Sequence, residues 1–136
     1  MRIESRARAR ALQALYAWDV RSGQDLGRVA ARLFDDLAVS DDERRIAGAL
    51  LGTAQAHLAE IDAALAGVTT NWRLERLGVV ERCVLRLAAA ELQRGETPPR
   101  VVLRESIRLA ERYGNPESAR FVNGVLDGLA RKMGRL

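Results

Sequence analysis

Apolar residues recur every three or four positions along almost the whole chain, and nowhere do they alternate with polar residues over a sustained stretch. Spacing of three and four places side chains on one face of a helix, whereas a half-buried strand needs a period of two. The chain therefore reads as all-α, with no sheet. Leu, Val and Ala dominate the apolar set and only three prolines occur in 136 residues, a composition that favours helices over strands. A chain of this length is a single domain by size, able to bury about two thirds of its unfolded surface.

Breaks in the pattern mark the helix ends. The first helix is expected from about Glu4 to Val20, with Leu12, Leu15 and Val20 on its apolar side and Gly23 beyond its end. A second spans about Leu26 to Leu37 through Val29, Leu33 and Leu37. Ser40, followed three residues later by Glu43, has the form of a capping box. It opens a third helix that is expected to run unbroken to about Ala66, where Gly67 stops it. Asn71-Trp72-Arg73-Leu74 reads as a capped turn into a short helix. A long helix follows from Gly78 to Gly95, then one from Pro99 to Tyr113-Gly114, and a last one capped by Asn115 with Pro116 in its first turn. The expectation is about seven helices: three in a bundle over about residues 1–67 and four in a bundle over about 68–136, sharing one core within a single 1–136 domain.

The last helix carries Gly124 and Gly128 in its interior, each costing about 1 kcal/mol relative to alanine. Phe121, Val122, Val125, Leu126 and Leu129 mark its core face. Glycines four apart beside such a face predict close approach of a neighbouring helix.

Candidates for catalysis are few. His57 is the only histidine and stands between Ala56 and Leu58. Cys83 is the only cysteine and stands among Val79, Val80, Val84 and Leu87, where it reads as a small core residue. One cysteine excludes an internal disulfide and fits a reducing compartment. Asp35-Asp36 and Asp41-Asp42 are sequence neighbours, which on a helix point in different directions. No Gly-rich phosphate loop, metal-ligand cluster, cofactor motif, export signal or membrane-length apolar run is evident. The expected protein is cytoplasmic, needs no metal or cofactor, and is not an enzyme.

Binding remains. Net charge is +4, divided as +3 over residues 1–21, −4 over 22–67 and +5 over 68–136, which suggests two unlike surfaces. Every cation but Lys132 is arginine, the residue that grips phosphate bidentately and stacks on bases. The densest basic stretch is Arg2 to Arg10. On a helix Arg2, Arg6 and Arg10 form a stripe at spacing four, continued by Gln13 and Tyr16, while Arg8 points elsewhere. Cations ending in an amide and an aromatic suit single-stranded RNA. A solvated helix face, with Tyr16 and Trp18 half buried, fits the same spacing.

Four segments together carry a family resemblance. Ala11-Leu12-Gln13-Ala14-Leu15-Tyr16, then Val80 to Leu87 with Glu91-Leu92, then Pro99 to Gly114, and above all Arg120-Phe121-Val122-Asn123-Gly124-Val125-Leu126-Asp127 resemble, in order and spacing, the motifs of the NusB transcription antitermination factors. The resemblance implies an all-helical fold of two perpendicular bundles. It implies binding of single-stranded boxA RNA together with NusE, a ribosomal protein, in the RNA polymerase antitermination complex during ribosomal RNA synthesis. By position it implies RNA contacts from Arg6, Arg8, Gln13, Tyr16, Glu117, Arg120 and Phe121, to which the stripe adds Arg10. It implies contacts to NusE from Tyr16, Glu75 and Glu81. Glu4-Ser5 stands where the family often has a basic run, so weaker RNA binding is expected, and a protein-binding scaffold without RNA is the alternative.

Overall fold

A computed structural model of the chain describes residues 1–69 and 73–136. Among them are seven α-helices and no strand: α1 (Ile3–Val20), α2 (Leu26–Asp36), α3 (Asp41–Ala56), α4 (Leu58–Ala66), α5 (Val79–Arg94), α6 (Pro99–Tyr113) and α7 (Pro116–Lys132), with one 3-10 turn at Leu74–Arg76. The expected turn at Asn71-Trp72 lies outside the described residues.

Local chemistry accounts for most boundaries. Asp25, Ser40 and Asn115 each accept a bond from the backbone N–H three residues on, at 3.0, 3.3 and 2.9 Å, which satisfies donors that a helix start leaves free. Gly95 ends α5 with φ +72°, the left-handed conformation that glycine adopts without strain. The end of α2 reaches the same geometry without glycine. Ala38 has φ +50°, and the Ala38 and Val39 amides donate back to the Asp35 and Phe34 carbonyls. This is a Schellman closure built on alanine, and no residue type announces it.

Two expected elements differ. The helix read as continuous to Ala66 breaks at His57, whose φ of −119° and ψ of 23° separate α3 from α4. The expected short helix is only the single turn at Leu74–Arg76. Two apolar residues also change place, and one core residue, Phe34, has no place in the sequence reading. Val20 and Leu37 are 54% and 41% exposed, while Phe34 fills the core at 4%. Gly124 is exposed, and a methyl group built on Gly124 or Gly128 would meet no neighbour within 4 Å. The expected close helix approach at these glycines is therefore wrong: they face open space.

α5 is the hub. It packs against α1, α3, α4, α6 and α7, while α1 also packs against α2 and α3, and α6 against α7. One apolar cluster runs through all seven helices, with Leu15, Leu65, Leu85, Leu92 and Leu126 essentially inaccessible to solvent. Burying each such leucine contributes about 1.5–3 kcal/mol. The packing thus sets both ends of α1 against α5, and this positions the candidate site.

Candidate nucleic-acid interface

Arg6, Arg8 and Arg10 are close in sequence, but Arg8 parts from the other two in space. Arg8 stands four and seven residues before Leu12 and Leu15, so it belongs to the apolar face of α1. Its side chain is 10% exposed. Its Nε and Nη2 donate to Glu91 of α5 at 2.9 and 2.6 Å, and its Nη1 donates to Glu105 of α6 at 3.1 Å. Thr97 and Ser5 hydroxyls donate to the same two carboxylates. The Glu91 bonds, more than the opposing effect of burial, raise the Arg8 pKa above its already high ordinary value. Arg8 is therefore corrected from a phosphate contact to an interior bolt between α1, α5 and α6. Ser5 points the same way, so it does not interrupt a surface run of cations. A signal for this was present: Glu91 and Glu105 also occupy core-facing positions, beside Leu87 and Ala88 and beside Val102 and Leu109.

Arg6 and Arg10 lie on the outer edge of α1. Arg6 is half exposed, with Nε 2.7 Å from Glu43 Oε1 and Nη1 donating to the Met1 carbonyl at 2.6 Å. Arg10 Nε lies 3.8 Å from the other Glu43 oxygen, and its Nη1 donates to Gln13 Oε1 at 3.2 Å. Tyr16 continues the edge and is 44% exposed. Arg2 precedes the helix and pairs loosely with Glu4 at 3.6 Å, Arg2 largely in solvent and Glu4 about half exposed. The expected capping box at Ser40 is only half formed. Ser40 takes the Glu43 amide, but the Glu43 carboxylate turns to α1 instead.

A second set gathers where α5 and α7 begin. Arg76, Glu81, Asn115, Glu117, Ser118 and Phe121 line a groove of about 300 Å³. Ser118 Oγ donates to Glu81 Oε1 at 2.8 Å. The groove joins Glu81, expected to face a protein, with Glu117 and Phe121, expected to face RNA. Phe121 is half buried against the core with part of its ring accessible. Glu75 is exposed on the 3-10 turn and Arg120 is exposed one residue before Phe121.

The far end of α1 carries a network that the residue pattern did not reveal. Asp19 accepts from Arg82 Nε and Nη2 at 2.8 and 2.5 Å and from Arg86 Nη1 at 3.0 Å. Arg86 also grips Asp62 of α4 at 2.9 and 3.0 Å, and its guanidinium carbon lies 5.9 Å from the Trp18 ring centre. The Arg82 hydrogen bonds, outweighing burial, hold the Asp19 carboxyl below the usual range. Cys83, fully buried beside this network, has its thiol pushed by burial to about 12, so it is a core residue and no nucleophile. His57 is partly exposed, 3.5 Å from Glu60. No metal-binding group of three or more His, Cys, Asp or Glu occurs among the described residues. No helix among them is long and apolar enough to cross a membrane.

Comparison with known proteins places this geometry in context. A model described as the NusB family matches residues 5–131. The transcription antitermination protein NusB of Sorangium cellulosum (strain So ce56) is 42% identical, over 100% of this chain and 97% of that protein. Its counterpart from Anaeromyxobacter dehalogenans (strain 2CP-1 / ATCC BAA-258) is 43% identical over 93% and 89%. Among solved structures, a chain from the complex of the antitermination factors NusB and NusE with double-stranded RNA superposes with TM-score 0.89 at 31% identity, covering 97% of this chain and 98% of that one. NusB of T. maritima gives 0.88 at 32%, covering 94% and 90%.

Proposed function

Since the chain belongs to the NusB family, we propose that it is a transcription antitermination factor that binds single-stranded boxA RNA jointly with NusE in the cytoplasm, within the RNA polymerase antitermination complex that makes ribosomal RNA. It acts by binding and not by catalysis. The observation that carries this reading is the outer edge of α1, where Arg6, Arg10, Gln13 and Tyr16 follow one another at helical spacing with both guanidinium groups reaching solvent. Arg120 and the accessible part of Phe121 extend the RNA surface from the start of α7. The acidic groups Glu75 and Glu81, with Tyr16, face the basic partner protein. In this division RNA meets cations and an aromatic, and NusE meets carboxylates, so each partner covers a different part of the surface.

Titration of labelled boxA RNA with this protein alone, and then with NusE present, tests the reading. NusE is expected to raise the affinity; equal affinities overturn joint binding. Replacing Arg6 and Arg10 with Ala should weaken binding and lower the slope of log K against log salt by about 0.7 for each phosphate that is no longer neutralised. Phe121→Ala should weaken binding by about 1–3 kcal/mol with the slope unchanged, as removal of base stacking would. One observation favours the scaffold alternative: Arg6, Arg8 and Arg10 each already meet a carboxylate of the protein itself. NusE binding with no RNA binding at any salt concentration would establish that alternative.

A further inference from the structure

We infer that Glu43 is a positioning residue for RNA binding: one buried carboxylate on α3 that holds the Nε sides of Arg6 and Arg10 and turns their outer nitrogens toward RNA phosphates. The inference rests on the RNA-binding reading above and names a residue that the family motifs do not include.

Glu43 is 8% exposed, although it is charged and lies in the first turn of a helix. Its backbone is fixed by the Ser40 cap, and its carboxylate spans the gap to α1. One oxygen meets Arg6 Nε at 2.7 Å and the other lies 3.8 Å from Arg10 Nε. Two arginines a helical turn apart thus share one anchor. The anchor takes their inner edges. Arg6 Nη1 is further tied to the Met1 carbonyl and Arg10 Nη1 to Gln13. Each guanidinium keeps its Nη2 without a partner among the described residues, on side chains 47% and 33% exposed.

Two physical effects of Glu43 oppose each other. Its negative charge repels an approaching phosphate. Its hydrogen bond to Arg6 and its ion pair with Arg10 order two long side chains before RNA arrives, which removes an entropy cost from binding. A neutralising role predicts tighter RNA binding when Glu43 is removed. Positioning predicts weaker binding. The shared anchor favours positioning, because a carboxylate that merely offset charge would not need to be buried beside two Nε groups. The other acids nearby are otherwise engaged: Glu4 with Arg2 and Asp42 with Arg45.

Binding of boxA RNA by the parent, Glu43→Ala, Glu43→Gln, the Arg6→Ala/Arg10→Ala pair and the corresponding triple variant tests this, with thermal melting of each. Glu43→Ala should bind about five- to tenfold more weakly, the factor expected when two side chains must be ordered upon binding, at an unchanged salt slope. Glu43→Gln keeps one acceptor oxygen and should fall between Ala and the parent, which covers the case in which the Ala variant does not fold. In the background lacking both arginines, removal of Glu43 should no longer weaken binding, because its positioning acts only through them. A merely structural role would persist in that background and overturns the inference. Unchanged or tighter binding by Glu43→Ala also overturns it. If the parent itself does not bind the RNA, the proposed function fails and the inference fails with it; if the parent binds and the variants match it, only the inference fails.

Discussion

α1 is fastened to α5 at both of its ends, and the two fastenings are opposites. At the N-terminal end one cation, Arg8, is held by two carboxylates, Glu91 and Glu105. At the C-terminal end one carboxylate, Asp19, is held by two cations, Arg82 and Arg86. The reserves differ as well. Arg86 keeps Asp62, and Arg82 Nη1 also donates to the Leu77 carbonyl at 3.1 Å. Glu105 has Arg108 at 3.2 Å, whose side chain is 70% exposed, and Glu91 has, among the described residues, only the Thr97 hydroxyl. What an interior ion pair is worth therefore depends less on the pair than on what is left behind when one member goes.

The largest effect expected is from Arg8→Ala, which strands two buried carboxylates and should destabilise the fold by about 3–5 kcal/mol in urea denaturation. Asp19→Ala leaves its two arginines with other acceptors and should cost about 1.5–3 kcal/mol. A cost for Asp19→Ala equal to that for Arg8→Ala would break the asymmetry.

Acid sharpens the contrast. Asp19 is depressed chiefly by the Arg82 hydrogen bonds. Burial raises Glu105, but the Ser5 hydroxyl and the Arg8 and Arg108 charges more than offset it, so its folded pKa also lies below the ordinary value. A carboxylate with a depressed folded pKa contributes stability that is complete above its unfolded pKa, near 4, and is lost as pH falls through the folded value. Parent stability should thus hold from neutral pH to about 5 and then decline. The deficit of Arg8→Ala should begin to shrink at higher pH than that of Asp19→Ala, because Glu105, buried and without the Arg8 charge that lowers its pKa, takes up a proton early. Denaturation midpoints across this pH range measure both onsets; the reverse order would refute the assignment.

Cys83 follows Arg82 in α5, fully buried beside the C-terminal fastening. At pH 8 iodoacetamide should label it only through opening, and Asp19→Ala should speed labelling by about ten- to a hundredfold, at a factor of ten per 1.4 kcal/mol. The smallest effect lies away from both ends: Gly124→Ala should stabilise α7 by up to about 1 kcal/mol, since its methyl meets open space. A lower melting temperature for that variant would restore the close approach that the glycine spacing suggested.

Most of the fold was legible because punctuation and periodicity agree. Ser40, Gly95 and the Asn115-Pro116 pair mark real ends, and Leu12, Leu15, Leu126 and Leu129 are core where spacing places them. The break at His57 was not legible, because no glycine or proline stands there; nor was the turn at Ala38, where tertiary packing of Val39 holds an alanine in a glycine-like conformation. In the candidate site, Arg6 and Arg10 were legible as outward residues. Arg8 was not, because a basic run suggests solvent while the leucines that follow it put that position inside. Charge type argued one way and helical phase the other, and phase decided.

The Arg8 bolt also has a timetable. Its partners lie 83 and 97 residues further along the chain, and a ribosome extends a chain at about 5–20 residues per second. For roughly 5–20 s of each synthesis Arg8 has left the ribosome's active centre while Glu91 or Glu105 has not yet been made. α1 to α4 can coil in that interval, but the seam between α1, α5 and α6 cannot close. The nascent protein therefore presents three arginines on α1, and the finished protein only two, with the third drawn inside once α5 and α6 have followed.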